Sequence, residues 1–127
     1  MKRSPGHRRW PDHKVREEHL DQRIRAKVNG EVVAASDDVI KVVEDENPER
    51  YYFPREDVEM EDLEASERTT ECPFKGRGRY YDVSAGGRRI GDAAWSYEDP
   101  YEEHRDLKDR VAFHATEMQA VEVVPRA

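Results

Sequence analysis

Apolar and polar residues alternate between Ile24 and Val28, a period of two that is typical of a half-buried β-strand. The next two residues, Asn29-Gly30, favour the positive φ angles of a two-residue type I′ turn. The pattern therefore predicts a β-hairpin centred on this turn. Counting outward from the turn gives the expected cross-strand pairs, which are Val28 with Glu31, Ala26 with Val33 and Ile24 with Ala35.

Further short runs of β-branched and aromatic residues predict additional strands, separated by Gly, Pro and acidic turns. A second hairpin is expected where Gly86-Gly87 turns the chain and returns Ile90 opposite Val83. The other expected strands are residues 39–43, 50–53, 67–71, 80–83, 111–113 and 120–124. Many short strands joined by turns predict an all-β fold, mainly antiparallel, arranged as a small barrel or sandwich.

One short helix is expected after the second hairpin. Asp99 can act as an N-cap, Pro100 suits the first helical position, and Glu102 stands at the third. This capping-box pattern predicts a helix of about two to three turns that continues through Asp109.

Charge divides the chain into two parts. Of the 127 residues, 40% are charged and 35% are hydrophobic, and the formal net charge is -7. Residues 1–14 carry a net charge of +4 and show no period, so we predict a flexible basic arm there. Residues 15–125 are expected to form a single all-β domain. Trp10 is the one residue of the arm that could fix it to this domain, by burying its ring.

The remaining charge and the cysteine count limit the partners. Beyond residue 14 the net charge is -11, which repels phosphates and argues against nucleic acid as a general partner, although contact through the arm stays open. The single cysteine and the spacing of the five histidines predict no metal and no cofactor. No apolar run reaches membrane-spanning length, so we expect no membrane partner and a cytoplasmic protein. The oligomeric state is left open.

Candidate chemistry is concentrated between Cys72 and Arg79. Pro73 favours an extended conformation for Cys72, and Lys75 follows closely. A nearby ammonium would stabilise a thiolate, so Cys72 and Lys75 are the candidate catalytic residues. His104 and His114 could serve as a base if the fold brings them near. The alternative is that Cys72 is a small buried apolar residue and Lys75 points to water.

Aromatic residues with polar tips could form a wall for a small planar ligand. The candidates are Tyr52, Tyr81, Trp95 and Tyr97. Lys75 and Arg79 flank two glycines, whose backbone amides can approach an anion, so both cations could orient an anionic group. The alternative is that the four aromatic residues form an ordinary hydrophobic core.

Three segments together resemble a known family: YYFPREDV at 51–58, CPFKG at 72–76 and AWSY at 94–97. Their order and spacing are similar to the bacterial domain-of-unknown-function family number 427, also labelled nucleotidyltransferase-like, over about residues 15–124. The resemblance implies a small all-β domain of the β-tent kind. It also implies that Cys72, Lys75, Trp95 and Tyr97 form a common site. The chain departs from the family in its longer basic arm and at His114, where the family more often has an aromatic residue.

Two functions remain open on the sequence. The first is a small domain with a pocket for an anionic small molecule, which could act as a thiol-dependent or acid/base enzyme. The second is a non-catalytic protein-interaction module that uses an edge strand or the N-terminal arm.

Overall fold

The structure is a computed structural model, which describes residues 2–113 and the backbone of residues 122–124. The described residues form ten β-strands, one α-helix and three 3₁₀ helices. The strands are β1 (Val15–His19), β2 (Arg23–Val28), β3 (Glu31–Ser36), β4 (Ile40–Glu44), β5 (Arg50–Phe53), β6 (Leu63–Cys72), β7 (Gly76–Ala85), β8 (Arg88–Pro100), β9 (Val111–Phe113) and β10 (Glu122–Val124). The helices are α1 (Pro5–Arg9) and the 3₁₀ helices Arg55–Asp57, Met60–Asp62 and Glu102–Leu107.

The strands form two sheets in which neighbouring strands are antiparallel. The large sheet has the order β1-β4-β5-β9-β8-β7-β6, and the small sheet has the order β10-β2-β3. The predicted all-β, mainly antiparallel class is confirmed. The two sheets stay open and pack on each other, which corresponds to the sandwich and not to the closed barrel.

The first hairpin forms as predicted at its turn, but its register changes two residues away. Val28 pairs with Glu31 across the Asn29-Gly30 turn. A bulge between Ala26 and Lys27 then shifts the ladder by one residue, so Ala26 faces Ala34, and the predicted pairs further from the turn are wrong. The extra residue on β3 allows both Val33 and Ala34 to be buried.

The second hairpin has the predicted turn and the predicted pair of Val83 with Ile90. The helix expected from Asp99 is wrong in its start and its type. Asp99 and Pro100 continue β8, where Pro100 pairs with Gly76 of β7. The ladder with β7 therefore overrides the capping pattern, and only a 3₁₀ helix follows, at Glu102–Leu107. The expected strand at 120–124 appears as β10 at its last three residues, while residues 120 and 121 and His114 lie outside the described residues.

The large sheet separates apolar side chains onto two faces, because neighbouring residues in a strand point in opposite directions. The inner face packs on the small sheet and includes Phe53, Tyr81, Val83, Val111 and Phe113. The outer face carries a second cluster, formed by Ile40, Val42, Tyr52, Trp95, Tyr97, Leu107 and Ala112. This outer face positions the candidate site.

The N-terminal segment contacts the domain, whereas the sequence predicts a flexible arm. Ser4 caps α1 by accepting a hydrogen bond from the backbone N–H of His7, and its hydroxyl donates to the Pro73 carbonyl at 2.6 Å. The Gly6 N–H donates to the same carbonyl at 2.7 Å. A Cβ atom at Gly6 would lie 2.6 Å from that oxygen, so only glycine permits this approach. Trp10 does not fix the segment by burial, because it is 47% exposed.

No helix among the described residues is long and apolar enough to cross a membrane.

Candidate ligand pocket

A cavity of about 270 Å³ opens on the outer face of the large sheet. It is lined by Val42, Glu44, Asn47, Pro48, Arg50, Tyr52, Lys75, Tyr80, Trp95 and Tyr97. Four adjacent regions of the fold supply these residues, namely β4 with its following loop, β5, β7 with the turn before it, and β8. The strand residues share one face because they stand two positions apart within each strand, as Val42 and Glu44 or Trp95 and Tyr97 do.

The floor of the cavity is aromatic. The rings of Tyr52 and Trp95 meet edge to face with their centroids 6.5 Å apart, and Tyr52 and Tyr97 are 6.3 Å apart. Trp95 Nε1 donates a hydrogen bond to the Tyr52 hydroxyl at 3.1 Å. Burial raises the pKa of Tyr52 and of Tyr97 far above the ordinary tyrosine value. Both hydroxyls therefore stay protonated at neutral pH and can serve as hydrogen-bond donors.

Lys75 and Glu44 form a buried ion pair at one end of the cavity. Lys75 Nζ donates a hydrogen bond to one carboxylate oxygen of Glu44, and His13 Nε2 lies 2.9 Å from the other. Burial opposes ionisation of Glu44, but the hydrogen bonds from Lys75 and His13 outweigh it and lower the pKa of this carboxyl. The charge of Lys75 is thus compensated within the protein.

Arg50 is the second cation of the cavity, and its surroundings differ. Its guanidinium lies 5.4 Å from the centre of the Trp95 ring, in cation–π geometry, and the residue is half-buried. Among residues 2–113, no carboxylate lies within salt-bridge distance of this guanidinium. Within the described part of the chain, Arg50 therefore has no carboxylate partner and lies next to an aromatic surface.

The structure brings four of the seven predicted site residues together: Lys75, Tyr52, Trp95 and Tyr97 all line the cavity. Tyr81 lies elsewhere, because it points to the inner face, where its hydroxyl donates to Glu98 at 3.0 Å. Arg79 is exposed and alternates with the cavity-lining Tyr80, which places it on the opposite face of β7.

Two residues line the cavity in place of the expected Tyr81 and Arg79, and neither was predicted from the sequence. Tyr80 takes the place expected for Tyr81, because Tyr80 pairs directly with Trp95 across β7 and β8. Arg50 supplies the cation expected from Arg79, since it stands two residues before Tyr52 in β5. That spacing was a usable signal: a period of two puts Arg50 on the Tyr52 face of the sheet.

Cys72 lies beside the site but does not line the cavity. It is a free, partly buried thiol that packs against the aromatic cluster of the outer face. Lys75, its proposed activator, donates to Glu44. The buried ring of His104 is held by Glu17 and His7. A catalytic role of Cys72 and Lys75 stays a prediction.

Three potential ligand atoms, from Glu17, His19 and Asp106, lie within 4.8 Å of one another. His19 and Asp106 are exposed and form an ion pair at 3.7 Å, while Glu17 accepts a hydrogen bond from His104 at 2.6 Å. These protein contacts account for their positions, so we assign the group to surface ion pairing.

Comparison with known proteins places the chain in a family. A family model described as "Domain of unknown function (DUF427)" matches residues 16–124. The chain therefore belongs to this family, which confirms the resemblance seen in the sequence. No curated protein matches the chain.

Proposed function

We propose that this member of the DUF427 family binds a small planar molecule with an anionic group in the cavity of the outer face. The observation that carries the proposal is the half-buried Arg50 guanidinium, which lies against Trp95 without a carboxylate partner in the described part of the chain. The Trp95 ring attracts this cation, but a half-buried guanidinium has lost part of its hydration and is further stabilised by an anion or by water. A carboxylate or phosphate on the ligand would supply that anion.

The remaining lining fits the planar part of such a ligand. The Trp95 and Tyr97 side chains give an apolar surface, and the hydroxyls of Tyr97 and Tyr52 can orient a hydrogen-bonding group. The volume of about 270 Å³ lies just below the usual range for ligand cavities, roughly 300–1,000 Å³, which favours a molecule of one or two rings. Lys75 and Glu44 add a fixed donor and a fixed acceptor at one end.

The proposal is for binding and not for turnover. Among the described residues, the side chains that line the cavity include no thiol or serine hydroxyl, and the carboxylate of Glu44 is engaged by two donors. The pKa of Glu44, which the Lys75 and His13 hydrogen bonds lower, also makes this carboxylate a weak general base at neutral pH.

The interaction-module alternative stays a prediction. β6 lies at the edge of the large sheet and is ten residues long, but a register shift between Ala65 and Thr69 interrupts its pairing with β7. Charged side chains along it include Glu67, Arg68 and Glu71. Bulges and charges of this kind discourage the addition of another strand.

The proposal is tested with planar probes that differ only in charge. Benzoate and benzamide form one pair, and indole-3-carboxylate and indole-3-carboxamide form another; binding is measured by ligand-observed NMR. We expect both carboxylates to bind and both amides to bind at least about tenfold more weakly, since a hydrogen bond to a charged group contributes about 1.5–3 kcal/mol. Equal binding of acids and amides, or no binding of either acid, would refute the proposal.

Two arginine variants locate the anion. In Arg50→Gln the preference for carboxylates should disappear, because the cation beside Trp95 is gone. Arg79→Gln is the matched control, since Arg79 is exposed on the opposite face of the same sheet and should leave binding unchanged. A loss of binding in the Arg79 variant alone would place the site elsewhere.

A further inference from the structure

Two histidine rings meet where helix α1 touches the domain. His7 of α1 and His104 of the 3₁₀ helix Glu102–Leu107 have their Nε2 atoms 2.8 Å apart. His104 is 3% exposed, and its Nδ1 lies 2.6 Å from a carboxylate oxygen of Glu17 in β1. Because a carboxylate only accepts, Nδ1 of His104 carries a proton. Its Nε2 is then left to share one proton with His7.

The short contact between the two rings depends on their protonation. At 2.8 Å one Nε2 must donate and the other must accept, so at least one of the two rings is neutral. If both rings were cations, two N–H groups would face each other and two positive charges would adjoin in a partly buried place. The contact cannot survive the second protonation.

The groups around His7 determine whether acid stabilises or destabilises its contact with His104. Burial lowers the pKa of His7, and His104 and His13 lower it further, while Glu103 and Glu44 oppose them without reversing the shift. Hydrogen bonds overcome the effect of burial and lower the pKa values of Glu103 and Glu44 as well. Both carboxyls therefore stay ionised at pH 5.

A second histidine of the segment, His13, makes separate contacts with the domain. His13 Nε2 lies 2.9 Å from Glu44, so a cationic His13 is attracted to that carboxylate. His13 also stacks on Phe74 with the ring centroids 4.4 Å apart. These two contacts attach the chain to the domain at residue 13, independently of the contact at His7.

We propose that His7 and His104 form an acid-sensitive latch that holds helix α1 on the domain. When both rings become protonated, residues 2–9 leave the domain while the chain stays attached at His13. Release breaks the hydrogen bonds that Gly6 and Ser4 donate to the Pro73 carbonyl. It also removes the His7 ring from Phe74, which is only 8% exposed in the latched state. Acid therefore exposes an apolar side chain next to Lys75 of the ligand cavity.

The sign follows from linkage. In the latched state the His7 pKa is below 6.5, its ordinary value, so the released state binds more protons whenever the pH falls below 6.5. The stability of the latched state relative to the released state is therefore constant above pH 6.5 and is progressively lost as the pH falls below this value. The population of latched molecules relative to released ones changes by up to about tenfold per pH unit for one added proton.

The latch is tested by amide hydrogen exchange of Gly6, corrected for the intrinsic effect of pH, at pH 7.5 and pH 5. In the intact protein we expect the protection of this amide to be lower at pH 5, by up to about tenfold per pH unit below 6.5, whereas amides of strands β7 and β8 keep theirs. Equal corrected protection of Gly6 at both values would overturn the proposal, whatever any variant does.

Two variants separate the latch from general acid effects. His7→Gln keeps a hydrogen-bond donor near His104 but cannot take a proton. The corrected protection of the Gly6 amide in this variant should therefore be the same at pH 7.5 and pH 5, even if it is lower than in the unchanged protein. The control His19→Gln removes an exposed histidine of β1 and should behave as the unchanged protein does. Persistence of the acid effect in His7→Gln would assign it to another group and refute the latch. This outcome is independent of ligand binding.

Discussion

Removing the charge of Glu44 should destabilise the protein far more than removing the charge of a surface glutamate. The side chains of Lys75 and Glu44 are 9% and 15% exposed, and the second carboxylate oxygen of Glu44 lies 2.9 Å from His13 Nε2. Glu44→Gln keeps the size of the side chain but leaves Lys75 without its counter-charge. Breaking a buried pair from one side costs about 3–5 kcal/mol, and because this pair borders an open cavity we expect about 2–3 kcal/mol.

The chain provides a matched control for this change. Glu71 pairs with Arg77, but their side chains are 64% and 71% exposed, so Glu71→Gln should cost less than about 1 kcal/mol. Urea unfolding measures both variants, with the slopes compared to verify that the unfolded state is unchanged. Adding Lys75→Met to Glu44→Gln should recover part of the loss, because the unpaired buried cation is then removed. Equal, small losses in both glutamate variants would refute the reasoning.

The same comparison predicts a pH dependence. The native pKa of Glu44 lies below its ordinary value of 4.5, so the stability that it contributes is complete above 4.5 and is lost as the pH falls further. The difference in unfolding free energy between the intact protein and Glu44→Gln should therefore shrink below pH 4.5. A difference that stays constant down to pH 3 would contradict the assigned ionisation of Glu44.

Two further predictions concern the segments beside the cavity. Gly6→Ala should undock α1, because overpacking against Pro73 costs about 1–3 kcal/mol of docking free energy, and the amides of Ser4 and His7 should lose their protection from hydrogen exchange. The control Gly91→Ala should have no measurable effect, since the nearest atom to its new Cβ would be 3.8 Å away. Equal effects of the two variants would contradict the close approach at Pro73. Cys72 in the native protein should react with iodoacetamide at least about tenfold more slowly than in the unfolded chain, because it packs against the aromatic cluster, and a native rate equal to the unfolded rate would make it an accessible thiol.

Local turn chemistry could be read from the sequence because it depends on a few adjacent residues. Asn29-Gly30 and Gly86-Gly87 adopt the positive φ angles that these pairs favour, and both hairpins follow. The bulge at Ala26 was not predictable in this way. It exists because both Val33 and Ala34 gain burial against the opposite sheet, which is a property of tertiary packing and not of the turn.

The helix expected at Asp99 is a second case in which tertiary packing overrides a local sequence signal. A capping box is a local signal, but the residues that carry it also complete the ladder between β7 and β8. Hydrogen bonds to a strand that is already in place outweigh a short helix, which is marginal by itself. The docking of α1 was equally hidden, since it depends on a close approach between Gly6 and Pro73, which are far apart in sequence.

The site was predicted in part because its aromatic residues share strands with an identifiable period. Tyr52, Trp95 and Tyr97 are brought together as expected, but the choice between Tyr80 and Tyr81 depended on the register of β7 against β8. A shift of one residue exchanges the two faces of a strand, and the sequence alone does not fix it. Lys75 was predicted, but two other charged residues of the cavity, Glu44 and Arg50, were missed because they look like surface charges until the face of each strand is considered.

The proposed function requires an anionic planar ligand to lie against Trp95. The chain has two tryptophans, so the indole N–H signals of Trp95 and the exposed Trp10 can be followed together by ¹H–¹⁵N NMR while indole-3-carboxylate is added. We expect a saturable shift of the Trp95 signal alone, and we expect Arg50→Gln to weaken binding of this probe by at least about tenfold. A shift of Trp10 alone, or a Trp95 shift that indole-3-carboxamide reproduces at the same concentration, would contradict it.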